Sequence, residues 1–152
     1  NPEQFWREVE ATIMTQRFFR WHVSGDIVNY DYFVNMVDIA KRNPHCEQIC
    51  FTKKYEIVNK YIDDNGELPS NLHMMFSAWR DLKMNNPHNL PECHIRYLDG
   101  TRTEREGAIL CGGNCETCAV TNKGCFGVKN GEQIVIEEHG VLAVSKFKRG
   151  QK

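Results

Sequence analysis

Strand-length apolar runs alternate along this chain with helix-length amphipathic stretches, and that alternation restricts the fold more than any other feature. Pro2, Glu3 and the spacing of Phe5, Val9 and Ile13 predict a helix running to about Arg17. Phe18 to Gly25 reads as a strand, and Asn29 or Asp31 caps a second helix through Phe33, Val37, Ile39 and Ala40 that stops before Pro44. Glu47 to Thr52 is the next strand. Tyr55, Val58 and Ile62 recur at helical spacing, and Asp63-Asp64-Asn65-Gly66 closes that helix with turn chemistry. Leu72 to Trp79 is a third strand and Gly107 to Cys111 a shorter fourth. A short strand is open to His94 to Leu98, and Ile134 to Ile136 with Val141 to Val144 forms a candidate hairpin. Strands joined through helices of this length predict crossover units and an open or partial barrel of about four parallel strands, with helices on one face.

At 152 residues the chain is expected to fold as a single α/β domain over residues 1–152, burying about 70% of its unfolded surface without covalent staples. Its net charge of -1 gives no global pull towards nucleic acid or anionic lipid. No apolar run has transmembrane length, and no signal peptide opens the chain. The first residues are Asn1 and Pro2 with no methionine before them, which leaves room for material ahead of Asn1. Seven cysteines, an odd and crowded set, suit a reducing cytoplasm better than a secreted disulfide framework.

Four of those cysteines, Cys111, Cys115, Cys118 and Cys125, are spaced C-x3-C-x2-C-x6-C in a glycine-rich segment, so 111–125 reads as a metal-binding loop. Thiolates suit iron–sulfur clusters and zinc alike. Structural zinc sites pair two short knuckles across a longer insert, whereas these four sulfurs lie within fifteen consecutive residues, which favours a cluster, most simply a four-iron one, wrapped by one loop. Zinc and inert thiols are the alternatives. Gly112, Gly113 and Gly124 permit left-handed backbone and free amide groups to point at sulfur. With Cys125 as a ligand the cluster has no open iron; without it, one iron is free for a small molecule.

The strands add an expectation about a ligand. Phe19, Trp21 and Val23 alternate with Arg20, His22 and Ser24; Ile49 and Phe51 with Gln48, Cys50 and Thr52; Leu72, Met74, Phe76 and Ala78 with His73, Met75, Ser77 and Trp79. Side chains alternate faces, so one face should be apolar and the other polar, lining a ligand or solvent. Open parallel sheets bind ligands beyond the carboxyl ends of their strands. Ser24, Gly25 and Asp26, then Lys53, then Ser77 and Arg80, then Cys111, fall at that edge. Asp26, Lys53 and Arg80 are the charges that could hold an amino-acid-like small molecule there. Cys46 and Cys93 read as small buried groups, Cys93 in a loop, while Cys50 falls on the polar face. His22 and His73 read as histidines satisfied by neighbouring strands before they read as bases. The basic tail Lys146, Lys148, Arg149 and Lys152 is a solvated end or a phosphate contact, and so the only weak pointer to nucleic acid.

The string Phe19-Arg20-Trp21-His22-Val23-Ser24-Gly25-Asp26, with Phe51-Thr52-Lys53, Ser77-Ala78-Trp79 and the cysteine cluster, resembles the phage "gene product eighty-eight" family over roughly Pro2 to His139. That resemblance implies a phage or bacterial protein and a further cysteine-bearing segment ahead of the first helix. A broader similarity is to the radical S-adenosylmethionine enzymes, which hold three irons of a four-iron cluster with C-x3-C-x2-C at the strand ends of a partial barrel. There the triad follows the first strand and an aromatic residue precedes its last cysteine; here it follows the last predicted parallel strand, and Thr117 precedes Cys118. This similarity implies S-adenosylmethionine as a cofactor and Ser24-Gly25-Asp26 as the turn that meets its methionyl amine.

Overall fold

The computed structural model describes residues 1–138. Its elements are α1 (Pro2–Met14), β1 (Phe18–Trp21), α2 (Tyr30–Arg42), β2 (Glu47–Thr52), α3 (Tyr55–Asn65), β3 (Leu72–Ser77), β4 (Glu92–Arg96), β5 (Ile109–Leu110), α4 (Cys115–Thr121), a 3-10 turn at Gly124–Phe126, and β6 (Gln133–Glu137). The six strands form one open sheet in the order β1-β2-β3-β4-β6-β5, with every pairing parallel. The candidate arm Ile134–Ile136 lies inside β6, which is flanked by β4 and β5, both parallel to it; Val141 to Val144 and the basic tail fall outside the described residues. No described helix is long and apolar enough to cross a membrane.

Local chemistry sets the element ends. The Asn1 side chain accepts from the Glu3 amide at 3.0 Å, and Asn29, rather than Asp31, caps α2 by accepting from the Tyr32 amide at 2.8 Å. β1 ends four residues short of Gly25 because His22 has φ of 51°, which takes the backbone out of extended geometry. Val23, expected to face the core, is therefore 87% exposed. β3 likewise stops at Ser77, before Trp79.

Chain direction decides which helix covers which face. From β1 to β4 the sheet grows steadily one way, and α1, α2 and α3 pack on its first face through Ile13, Phe33, Met36, Val37, Val58 and Tyr61. The chain then steps over one position to β5 at the edge and returns inward through α4 to β6. Crossovers of constant hand require the returning helix to lie on the opposite side. Ala119 of α4 and Phe126 of the 3-10 turn do lie there, against Ile49, Met75, Cys93 and Ile134.

The expected division into an apolar and a polar face does not hold. Phe19, Gln48 and Leu72 are register partners, as are Arg20, Ile49 and His73. Partners across parallel strands point the same way, so β2 is out of phase with its neighbours relative to the sequence pattern. Gln48, Cys50 and Thr52 turn to the helix-covered first face, while Ile49 and Phe51 join Arg20, His73 and Met75 on the second. Buried Gln48 accepts through Oε1 from the Trp21 indole at 3.0 Å, while its Nε2 has no hydrogen-bond partner among the described residues.

One buried amide ties the fold's first half together. Asn71, just before β3, donates from Nδ2 to the carbonyls of Ala40, Asn43 and Cys46, each at 3.0 Å, stitching the end of α2 and the start of β2 to the start of β3. The Ala40 and Asn43 carbonyls also accept from the Asn43 and Cys46 amides, so Asn71→Ala deprives chiefly the Cys46 carbonyl and is expected to cost about 1–3 kcal/mol of stability, read as a lowered urea midpoint with unchanged slope.

Candidate functional site

β5 is only two residues long, and it delivers Cys111. The Cys111 amide continues the ladder by donating to the Val135 carbonyl at 2.8 Å, and its Sγ accepts from the Gly113 amide at 3.4 Å. Gly113 holds φ of 76°, which turns the chain back over the sheet. Asn114 caps α4 by accepting from the Thr117 amide at 3.0 Å. Cys115 and Cys118, three residues apart, thereby stand on one side of that helix. Asn122, in left-handed geometry at φ 50°, ends α4, and the Lys123 amide donates to the Cys118 carbonyl at 2.9 Å.

Two residues seat the loop. Gly124 has φ of 53°, and a Cβ there would stand 2.8 Å from the Cys118 sulfur, so a side chain at this position would both strain the backbone and displace that thiol. Phe126 is buried at 6% exposure, its ring packed edge-on against Phe18 at 6.0 Å and His73 at 5.5 Å. Cys111, Cys118 and Cys125 all pack against the second-face core. The loop thus folds back over the sheet face instead of standing off its carboxyl edge.

A fifth cysteine joins them. Cys93, expected in a loop, is a β4 residue in register with Ile134, which pairs in turn with Ile109 two residues before Cys111. Its side chain therefore forms part of the floor beneath the thiols, 4% exposed. Burial pushes the Cys93 thiol up to about 12, helped by neighbouring Cys125 and Cys111 and opposed by Arg20 and Lys53. Burial likewise pushes Cys125 up to about 12, reinforced by Cys111, Cys115 and Cys118 and opposed by Arg20. Mutual repulsion of thiolates is the condition that a bound cation relieves. All seven cysteines are free. Among the described residues, no group of three or more His, Cys, Asp or Glu side chains stands close enough to hold a metal ion as now placed.

The residues expected at the carboxyl edge have varied surroundings. Ser24 and Gly25 are exposed in the turn after β1, Gly25 with φ of 88°. Asp26 accepts from the Ile27 amide, the Thr52 hydroxyl and the Lys53 amide, fastening that turn to the end of β2. Arg80 pairs with Asp99 and lies 3.8 Å over the Tyr97 ring. The Ser77 carbonyl accepts from the Tyr55 hydroxyl. Lys53 is exposed, its ammonium 5.0 Å over Trp79. Of these, Lys53 bears on the Cys93 thiol of the second face, whereas Asp26 bears on Cys50 of the first.

On the first face Cys50 sits 3.6 Å from His22 Nδ1, whose Nε2 is 3.1 Å from the Tyr32 hydroxyl. Burial raises the Cys50 thiol and lowers His22, so this trio is a neutral packed contact rather than an activated nucleophile. His73 is bonded to Glu47 at 2.6 Å, and His94 to Glu92 at 2.9 Å, each histidine satisfied by a neighbouring carboxylate.

Reasoning from sequence missed Cys93 and Arg20. Cys93 lies between Pro91 and a polar stretch, with no periodic signal to mark β4 as central, and Arg20 was visible only as one polar member of an alternating strand.

A family model described as Gene product 88 matches residues 3–140. No curated protein and no solved structure matches the chain.

Proposed function

We propose, for a chain that belongs to the gene product 88 family, that its function resides in a metal centre held on the second sheet face by Cys111, Cys115, Cys118 and Cys125, with an iron–sulfur cluster as the occupant. The supporting observation is the packing of Cys111, Cys118 and Cys125 with Cys93 on one apolar face, with exposed Cys115 on the same side of α4 as Cys118 and the Gly113 amide already donating to the Cys111 sulfur. Amide donors of that kind tune cluster thiolates. Loading would draw the sulfurs together from their present positions, and the segment from Cys111 to Phe126 is short enough to keep all four within reach.

Zinc is the competing occupant, and the fold argues against a merely structural ion. Structural zinc supplies folding energy outright, most evidently in small domains that are unfolded without it. This sheet already has a hydrophobic cluster on each face. Thiols surplus to folding favour redox chemistry, which a cluster supplies when bound; if Cys125 stays off the metal, an open iron could take S-adenosylmethionine or another small ligand. The phage or bacterial cytosol, being reducing, would keep such thiols free. A zinc-bearing nucleic-acid module is the second reading, and steep salt dependence of binding would mark it.

Anaerobic purification with iron, sulfide and zinc analysis tests the proposal. About four irons with matching sulfide, and far-UV circular dichroism that survives chelation, are expected. One zinc in a colourless protein, with loss of the loop on chelation, would overturn the cluster reading.

A further inference from the structure

Arg20 and Lys53 flank the thiols from the sheet. Arg20 projects from β1 on the second face beside Ile49, its guanidinium 5.1 Å over the Phe51 ring. Lys53 directly follows β2, two residues beyond Phe51, with its ammonium over Trp79. Arg42, Lys60, Arg80 and Arg96 each hold a carboxylate, whereas neither Arg20 nor Lys53 does so among the described residues. Both are exposed, yet each rests on an aromatic ring, which limits the freedom lost when it engages a ligand. Phe51, the ring beneath Arg20, itself packs against the second-face cluster that contains Cys93 and is joined by Cys111, Cys118 and Cys125.

A guanidinium and an ammonium without carboxylate partners, placed beside one thiol-lined apolar face, have the chemistry that recognises an oxyanion. Asp26 and Arg80 do not share that placement, because each is engaged with its own partners. On the reading that the thiols carry a metal centre, we infer that its ligand is a small organic anion whose carboxylate or phosphate is held by Arg20 and Lys53 on the second face. The substrate class is thereby an acid rather than a neutral or cationic molecule.

The test is calorimetric titration of the anaerobically purified full chain with inorganic phosphate and, separately, with acetate, at low ionic strength, while the visible spectrum of the centre is followed. Saturable binding of at least one is expected, and the two arms separate a phosphate from a carboxylate ligand. Arg20→Gln and Lys53→Gln should each weaken it tenfold or more with metal content unchanged, and Arg7→Gln, an exposed cation on α1, should leave it intact. Absence of saturable binding to the metal-loaded chain, or equal affinity in Arg20→Gln, overturns the subsite and leaves these cations as counter-charges to the thiolates. Anion binding by a chain that takes up no metal sustains the subsite and sinks only the metal reading.

Discussion

If the proposed iron–sulfur centre is present, replacing Cys111, Cys115 or Cys118 by alanine is expected to empty it, with iron and sulfide falling together to background in anaerobically purified protein. The loss should exceed the roughly 10–100-fold that removal of an outer-shell partner costs in affinity, because a direct ligand is removed. Cys118 is the most instructive of the three: its sulfur borders Gly124, and its carbonyl accepts from Lys123, so the helix end is fastened independently of the thiol. Circular dichroism of Cys118→Ala should match that of the parent. Retention of full iron and sulfide by all three variants would remove the centre from this loop. Cys93→Ala, by contrast, deletes a small buried group from the floor and should keep its metal, with a modest fall in stability.

The largest effect on stability outside the helix-covered core is expected at Phe126. Its ring is the main anchor of the loop on the sheet, packed against Phe18 and His73 and at the centre of the second-face cluster. Phe126→Ala should cost about 3–5 kcal/mol, a large share of the roughly 5–15 kcal/mol that holds an ordinary domain folded. The loss should appear both as a lower urea midpoint and as proteolytic cleavage within 112–125 at denaturant concentrations where the parent resists. Phe126→Leu should recover most of both. An unchanged midpoint in Phe126→Ala would mean that the loop is not seated on the second face.

Much of the fold was legible because helix periodicity and caps are local. The Asn29 cap, the stop before Pro44 and the turn at Gly66 can be read from a few neighbouring residues. What could not be read was phase. An alternating strand announces that it has two faces without saying which neighbour's face each will join, and for β2 that choice falls to its pairing with Phe19 and Leu72. The misjudged polar face follows from that one strand. The sheet's far side was harder still, because β4 and β6 are central strands only by virtue of a chain reversal that leaves no local mark. The spacing of Cys111, Cys115, Cys118 and Cys125 disclosed the thiol loop; the position of Cys93 beneath it depended on that reversal.

The insertion of β6 between β4 and β5 also has a consequence for the order of assembly. During synthesis β1, β2 and β3 can pair as soon as they emerge, since their contacts are with sequence neighbours. The thiol loop emerges before β6, which supplies Ile134 to the surface beneath it and the Val135 carbonyl that fixes Cys111. Until β6 enters the sheet, the floor beneath the thiols lacks Ile134, and Cys111 hangs from an unpaired two-residue strand. Closure of the proposed site is therefore among the last steps of folding, and a released chain truncated before Gln133 is expected to leave Cys111 without its ladder bond to Val135.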